Sequence, residues 1–191
     1  MEQDLAIPFQ TGRALEPPPQ SARLRLRELA PPDRDAIFDL LGDSYAMRFF
    51  PRAFSRDDAG QWIERNRQRY HIFGYGLWAA TEIESGELLG DCGPCWHEIN
   101  DELQLEVGYH FRPRFWGRGY ATEAARAVIG WCFRNVAVGH VISLIRPENV
   151  PSRHVAERNG LDVSGSVHWR GFEHLIYRME RERWRPERKC A

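Results

Sequence analysis

A glycine-containing turn, residues 112–123, joins two segments whose hydrophobic periods differ. Residues 103–111 alternate apolar and polar side chains, as a strand with two different faces does. Residues 120–133 instead place apolar side chains at helical spacing. A strand that ends in a glycine turn at the start of a helix presents free backbone N–H groups at the positive end of the helix dipole. The segment therefore predicts a site for phosphate oxygens within an α/β fold.

The centre of this turn, Gly117-Arg118-Gly119, fits more than one interpretation. It lacks the third glycine of a dinucleotide-binding fingerprint and the Gly-Lys-Ser/Thr of a Walker loop. A purely structural turn is the plain alternative, and the spacing alone does not decide between that and a phosphate site.

The rest of the pattern predicts one α/β domain, residues 22–180, between a flexible N-terminal arm (1–21) and a charged C-terminal tail (181–191). The fold expected is a mixed, mostly antiparallel sheet of six to seven strands with helices on both faces, because strand–helix–strand order around the turn implies one parallel crossover. Strands are predicted at 23–29, 75–83, 87–96, 103–111, 138–145, 162–170 and 172–180, and helices at 31–41, 55–70, 120–133 and 149–159.

Charge and composition argue against several classes of partner. The chain has 26 basic and 27 acidic residues, so no overall charge favours a nucleic acid or an anionic membrane. No apolar run approaches the ~20 residues that span a bilayer. The first residues do not have the pattern of a secretory signal, and four cysteines in such a chain are typical of reduced thiols in the cytoplasm.

Two stretches resemble signatures of a known family. Arg114-Phe-Trp-Gly117-Arg-Gly119 resembles the Gln/Arg-x-x-Gly-x-Gly/Ala signature of the GNAT superfamily of N-acetyltransferases. Residues 113–124 are similar to the branch that acetylates N-terminal amines of ribosomal proteins, and residues 147–161 resemble the second signature of that branch. The resemblance covers about residues 22–180.

The resemblance implies acetyl-CoA as co-substrate and no metal. In such a fold the N–H groups from Trp116 to Thr122 cradle the pyrophosphate. The end of the preceding strand binds the pantetheine arm and the acetyl carbonyl, and a bulge, here expected at Gly108, splays that strand from its parallel neighbour. The residues assigned to coenzyme binding by this resemblance are Tyr109, Phe111, Arg114, Trp116, Gly117, Arg118, Gly119, Tyr120, Ala121, Thr122 and Asn149.

Glu106 is the candidate general base, since it lies on the polar face of the strand that leads into the turn and the resembled branch often has Glu there. The alternative is a solvated or salt-bridged carboxylate. His110 shares this face, roughly 13 Å further along an ideal strand, where it would either orient the substrate or simply pack.

Ser152 is the candidate for assisting the leaving thiolate. Many members of the superfamily carry a Tyr seven residues after the motif Asn, whereas this chain has Ala156 there. The resembled branch has Ser at the position of Ser152 instead. Because Ser152 follows Asn149 by three residues, a capping role is the alternative.

Cys92-Gly-Pro-Cys95 equals the thioredoxin motif in its letters, but no amphipathic helix follows it. Zinc bound by Cys92, Cys95 and His97 would lack an evident fourth ligand. Thiols packed in a strand are the preferred interpretation of both cysteines.

Several residues could form the walls of an acceptor site, although plain core packing is the alternative. An acidic group on the acceptor could pair with Arg48 or Arg52. The aromatic and histidine candidates are Tyr45, Phe49, Phe50, Phe54, Trp62, His168 and Trp169.

Together these patterns predict an enzyme that moves an acetyl group from acetyl-CoA to a primary amine, on a small molecule or a protein N-terminus, by direct attack in a ternary complex. The expected assembly is a monomer or homodimer. A non-catalytic acyl-CoA-binding or regulatory module of the same fold is the alternative, and the absent Tyr favours it slightly.

Overall fold

A computed structural model of the chain describes residues 14–185. No helix within that range combines the length and the apolarity needed to cross a membrane. The strands are β1 (Leu24–Arg27), β2 (Trp78–Glu82), β3 (Leu88–Ile99), β4 (Glu102–Phe111), β5 (His140–Ile145), β6 (Asp162–Trp169) and β7 (Phe172–Glu180), and the helices are α1 (Arg34–Leu41), α2 (Arg56–Phe73), α3 (Tyr120–Asn135) and α4 (Val150–Arg158).

The strands form one sheet in the order β1-β2-β3-β4-β5-β7-β6. The β4–β5 pair is parallel and the other neighbours are antiparallel, which confirms the mixed, mostly antiparallel sheet. Successive residues of β2 point to opposite faces. Ala79 packs with α1 and α2, whereas Trp78 and Ala80 pack with α3 on the other face.

Local signals correctly mark two helix starts. Ser55 Oγ accepts a hydrogen bond from the Asp58 N–H at 3.1 Å, and the Asp58 carboxylate accepts from the Ser55 N–H at 2.7 Å, a reciprocal capping box. Asn149 Oδ1 accepts from the Ser152 N–H at 3.3 Å at the start of α4. These caps satisfy N–H groups that the helix itself leaves unpaired.

Strand β3 runs to Ile99, three residues beyond the predicted end. The two-residue turn Asn100-Asp101 explains this, because both residues adopt positive φ (51° and 64°). Such a turn matches the twist of an antiparallel pair and holds the strands in one register. β3 and β4 consequently pair without interruption from Gly90–Phe111 to Ile99–Glu102.

The predicted bulge at Gly108 is wrong. Gly108 lies opposite Gly93 in an unbroken register, and the sheet instead has register shifts between Ala80 and Thr81 and between Val163 and Gly165. The expected splay is present without a bulge, because β4 and β5 pair only at Glu106 and Ile142. Past this pair the two strands diverge, and the wedge between them opens towards the glycine turn.

Part of the expected N-terminal arm lies against α3. The Glu16 N–H donates to Asn135 Oδ1 at 2.8 Å, and residues 14–21 lead from this contact into β1. Residues 1–13 and 186–191, which hold the rest of the predicted arm and most of the predicted tail, lie outside the described residues.

Candidate active site

A cavity of about 920 Å³ opens between the α1–α2 connection, β4, the end of β5, the starts of α3 and α4, and the β6–β7 turn. Its wall includes every residue that the sequence assigns to catalysis or coenzyme binding except Arg114 and Arg118. The fold therefore brings the predicted residues from three separate segments of the chain to one place.

The glycine turn has the geometry of an anion site. Gly117 and Gly119 adopt φ of 73° and 82°, which side-chain-bearing residues rarely tolerate. Within the described chain, the N–H groups of residues 117–122 donate to no backbone or side-chain acceptor, and the first internal bond of the helix start joins the Glu123 N–H to Gly119 O. The Trp116 N–H is already used by Pro113 O at 3.0 Å. Six amides, rather than the expected seven, are thus available.

The two arginines of the turn have different surroundings. Arg114 pairs with Glu87 and lies over the Phe115 ring, 4.8 Å from its centroid. Arg118 approaches the same ring at 5.9 Å and forms no ion pair with another residue of the described range. Its charge helps to lower the pKa of Glu82 without a direct contact, so the guanidinium itself is not held by a carboxylate of the described range.

An acid anchors the first turn of α3 to the segment that leads into β1. Glu123 accepts hydrogen bonds from the Ser21 hydroxyl at 2.7 Å and from the Arg23 N–H at 2.8 Å, and it pairs with the Arg23 guanidinium at 2.6 Å. Burial raises the pKa of Glu123, but these donors outweigh burial and hold it below its usual value. The ionised carboxylate is favourable at a helix N-terminus.

Tyr109 and the start of α4 line the wedge between β4 and β5. The Tyr109 hydroxyl donates to Ser152 O at 2.9 Å. Burial raises the pKa of Tyr109, so the phenol stays protonated. The Ser152 Oγ has no hydrogen-bond partner among residues 14–185, in contrast to the Ser152 N–H that Asn149 caps. The hydroxyl is consequently available to a group in the cavity.

Glu106 forms a buried pair with His97. Glu106 Oε2 lies 2.7 Å from His97 Nε2, and Glu106 Oε1 accepts from the Leu144 N–H at 3.1 Å. Burial raises the pKa of Glu106, but the hydrogen bond and charge of His97 lower it further than burial raises it. Burial lowers the pKa of His97, while Cys95 and Glu106 raise it to a net value of about 10. Both members are therefore charged near neutral pH.

A second acid–histidine pair lies on the same face. His110 Nδ1 lies 2.7 Å from Asp91 Oδ1, and the Trp62 Nε1–H donates to Asp91 Oδ2 at 2.8 Å. Asp91 is fully buried. Burial lowers the pKa of His110, but the charge and hydrogen bond of Asp91 raise it above its usual value overall. Since this side chain lines the cavity, it is a second candidate for proton transfer.

Sequence reasoning missed Asp91 altogether and considered His97 only as a metal ligand. The signal that could have found both is the turn at residues 100–101. If residues are counted outward from this two-residue turn, Asp91 falls opposite His110 and Cys95 falls opposite Glu106. His97 lies two residues from Cys95 on the same face, so it is a diagonal neighbour of Glu106.

Cys92 and Cys95 are free thiols buried in β3. Burial raises the pKa of Cys92, the opposite of the shift that activates a redox cysteine. Within residues 14–185, no three His, Cys, Asp or Glu side chains are arranged to hold a metal ion.

Aromatic rings enclose the two histidines. The rings of Phe50 and Trp62 lie 5.3 and 5.8 Å from the His110 ring, and the Trp169 ring lies 4.8 Å from the His97 ring. His168 is exposed and lies outside the cavity wall.

The α1–α2 connection contributes further side chains to this region. Phe49 and Phe54 line the cavity, whereas Tyr45 packs on Trp116 at 5.7 Å. Arg48 lies over the Tyr45 ring at 4.2 Å, towards the glycine turn.

Comparisons with known proteins agree with this geometry. The uncharacterized protein YkkB of Bacillus subtilis is 34% identical over 146 residues, which cover 76% of this chain and 85% of YkkB. The FsC-acetyl coenzyme A-N(2)-transacetylase of Aspergillus fumigatus is 29% identical over 157 residues, or 76% of this chain and 65% of that protein. An acetyltransferase structure from Agrobacterium tumefaciens superposes with a TM-score of 0.74 at 27% identity, over 88% of this chain and 96% of that one.

The family model gives the decisive match. Residues 23–162 match the acetyltransferase (GNAT) domain, a span that includes β1 to β5, the glycine turn and α4. The resemblance inferred from the two signatures is thereby confirmed. This chain belongs to the GNAT family of acetyltransferases.

Proposed function

We propose that the protein transfers an acetyl group from acetyl-CoA to a primary amine by direct attack in a ternary complex. The observation that carries the proposal is that five of the six residues with unpaired amides (Gly117 and residues 119–122), the β4–β5 wedge and Glu106 all line one cavity. A site for a diphosphate, a slot for a narrow chain and an acid–base group are the three parts that this reaction requires.

The coenzyme would bind along β4. Its pyrophosphate would accept hydrogen bonds from the amides of residues 117–122, with Arg118 adding charge. The pantetheine arm would enter the wedge beside Tyr109 and Phe111 and approach Asn149 at the start of α4. The transacetylase name of the Aspergillus relative supports acetyl-CoA as the donor.

The acceptor must lose a proton to react, since free amines are mostly protonated at neutral pH. In the proposed step Glu106 accepts this proton, directly or through one water. The amine nitrogen forms a bond to the acetyl carbon, and the carbon–sulfur bond of the thioester breaks. Backbone N–H groups of β4 beside the wedge would stabilise the oxyanion.

The departing thiolate would be stabilised at the start of α4. The unpaired Ser152 Oγ donates a hydrogen bond to the sulfur in this proposal, and the positive end of the helix dipole favours the negative charge. A thiolate needs limited help, since thiols ionise near pH 8.5. The absence of a Tyr at Ala156 is therefore compatible with turnover.

His110 with Asp91 is the rival base. Its imidazole lines the same cavity, and its raised pKa lies nearer to that of an amine than the lowered pKa of Glu106 does. A base whose pKa approaches that of the proton donor is the more effective one.

Release of free thiol from acetyl-CoA in the presence of amines and N-terminal peptides tests the proposal. We expect release that depends on the acceptor and that falls at least about tenfold in Glu106→Gln, with coenzyme binding retained. Glu98→Gln, which removes an exposed carboxylate from β3, is the matched control. Ser152→Ala should lower the rate less, with Ser166→Ala as its control.

Three results would contradict parts of this account. Coenzyme binding without thiol release for any acceptor would support the non-catalytic module instead. Full activity in Glu106→Gln, together with loss of activity in His110→Gln, would assign the role of general base to His110. Full activity in Ser152→Ala would remove Ser152 from the mechanism.

A further inference from the structure

The cavity lining holds more basic than acidic side chains. Among the described lining residues Glu106 is the single acid, and His97 neutralises it. Arginines reach the cavity from α2, α4, the α1–α2 connection, the end of β5 and the β6–β7 turn; they are Arg48, Arg52, Arg69, Arg146, Arg158 and Arg170. Two of them are already paired with an acid, Arg52 with Asp58 and Arg146 with Glu148. A ligand with a negative group would therefore gain energy here that a neutral ligand would not.

Two of these arginines, Arg69 on α2 and Arg170 on the β6–β7 turn, form a positive rim. Neither pairs with a carboxylate within the part of the chain that the structure describes. Both act on Arg65 of α2. Burial lowers the pKa of Arg65 most, and the positive charges of Arg69 and Arg170 lower it further, while the negative charge of Asp58 raises it. Arg69 and Arg170 thus place like charge around Arg65, with Asp58 as the opposing charge, and an excess of positive charge of this kind favours an anion.

The backbone of Arg170 gives a second, independent observation. Arg170 adopts φ of 50°, in the left-handed region that glycine and asparagine prefer, and it precedes Gly171 in a two-residue turn. An arginine is a poor choice for such a turn on conformational grounds alone. Arg170 therefore occupies this position at a conformational cost, which supports a role for its side chain beside the cavity.

Aromatic contacts connect this rim to the reacting groups. The Arg170 guanidinium lies 4.2 Å from the centre of the Trp169 ring, and that ring lies 4.8 Å from the His97 ring. His97 in turn binds Glu106. Arg170 is thus separated by one aromatic ring from the pair at which the amine would lie.

The coenzyme phosphates would not occupy this rim. The glycine turn begins beyond Phe111, and Glu106 lies five residues earlier on the same strand, about 16 Å away. Arg118 lies with the turn, so the coenzyme has its own basic residue there.

We propose that the acceptor is an amine that also carries a carboxylate, which Arg69 and Arg170 bind while the amine lies at Glu106. This inference rests on the proposed acetyl transfer and specifies the class of its acceptor. Planar, bidentate recognition of a carboxylate is the geometry for which guanidinium groups are suited.

Dipeptide amides with one constant amine test the inference. The series Ala-Asp-amide, Ala-Asn-amide, Ala-phosphoserine-amide and Ala-Ser-amide varies the anionic group while the N-terminal amine stays the same. We expect kcat/KM for Ala-Asp-amide to exceed that for Ala-Asn-amide about tenfold at low salt, and this ratio to fall as salt is added. If the kcat/KM ratio of the phosphoserine peptide to the serine peptide is larger than the Asp-to-Asn ratio, the rim binds phosphate in preference, and the proposal of a carboxylate is overturned.

The variants Arg69→Gln and Arg170→Asn should lower the Asp-to-Asn ratio towards one, and Arg170→Asn should not lower the melting temperature, because asparagine suits its backbone. Arg67→Gln, which removes an exposed arginine paired with Glu64 on the same helix, should leave the ratio unchanged. An Asp-to-Asn ratio that stays near the wild-type value in both rim variants would overturn the assignment of the carboxylate to the rim. Binding of coenzyme A that is several-fold weaker in these variants would overturn it as well.

A binding measurement separates this inference from the proposed reaction. In the presence of coenzyme A, N-acetyl-Ala-Asp-amide should bind about tenfold tighter than N-acetyl-Ala-Asn-amide by calorimetry, and the rim variants should abolish the difference. Equal binding and equal turnover of the two would overturn the carboxylate-binding role of the positive rim, while acetyl transfer would stand. Selective binding without turnover of any dipeptide would instead refute transfer to N-terminal amines and retain the rim.

Discussion

Glu106 Oε2 and His97 Nε2 lie 2.7 Å apart at the floor of the cavity, so the proposed base is half of an ion pair. Each carboxylate oxygen already has one partner, His97 on one side and the Leu144 N–H on the other. The pair fixes the orientation of the carboxylate and keeps it ionised. The same contact lowers its basicity, and this gives the site a measurable dependence on pH.

The first prediction concerns stability. The pKa of His97 is raised from 6.5 to about 10, so its contribution is fully present below about pH 6.5 and is lost as the pH rises through 10. The pKa of Glu106 is lowered from 4.5, so its contribution is lost as the pH falls below that value. The difference in free energy of unfolding between wild type and His97→Gln should therefore be largest between about pH 4.5 and 6.5 and shrink towards pH 10.

Denaturant unfolding at a series of pH values measures this difference. His168→Gln, which removes an exposed histidine, is the control. A difference that stays constant from pH 6 to pH 10 would show that His97 does not gain its proton from the fold.

The second prediction concerns the Asp91–His110 pair. Asp91→Asn removes the charge that raises the pKa of His110, while the amide oxygen can still accept from Trp62. We expect the pKa of His110 to fall and the protein to lose about 1–3 kcal/mol of stability. Imidazole titration by NMR measures the first effect. If His110 is the base, the pH profile of kcat/KM shifts with it, whereas an unchanged profile leaves the role with Glu106.

The third prediction concerns Gly108, which lies between Glu106 and His110 on β4. A Cβ atom there would meet only Leu77 Cδ2, at 3.7 Å, an ordinary contact. Gly108→Val should therefore fold with a change in stability below about 1 kcal/mol, since valine suits a strand. Its side chain would project into the cavity and lower kcat/KM at least about tenfold by excluding the acceptor. Normal kinetics in a folded Gly108→Val would place the acceptor elsewhere.

The fourth prediction separates backbone strain from coenzyme binding. Gly117 and Gly86 have nearly the same φ, 73° and 71°, and a Cβ at either would meet nothing within 4 Å. Alanine should cost each site about 1–2 kcal/mol of stability. Only Gly117→Ala should weaken coenzyme A binding, because the proposal assigns the phosphate amides to that turn alone. Equal affinities of the two variants for coenzyme A would contradict the assigned turn.

Local sequence predicts the parts of the molecule that local interactions determine. The box of Ser55 with Asp58 and the cap of Asn149 on Ser152 are visible in the sequence because the partners lie three residues apart. The alternation of β4 predicts which of its side chains share a face. The family signatures predict the chemistry expected at that face and the coenzyme site at the turn that follows the strand.

Pairing between strands determines what the sequence pattern missed. Glu106 meets His97 because the turn at residues 100–101 sets the register, and no periodicity within β4 reports its partner on β3. The strand splay expected from a bulge at Gly108 arises because β4 and β5 separate after one pair, a tertiary property of the sheet. The Trp116 N–H donates to Pro113 O within a tight turn, and the glycines that follow do not reveal this turn in the sequence.

The stoichiometry of a single turnover tests the central claim most directly. Enzyme in excess over acetyl-CoA is mixed with an amine acceptor, and free thiol and acetylated amine are both quantified. Direct transfer predicts one thiol per acetylated amine, and no thiol on the same timescale when the acceptor is omitted. Thiol release without acceptor, or a bound coenzyme that never loses its acetyl group to any amine, would contradict it.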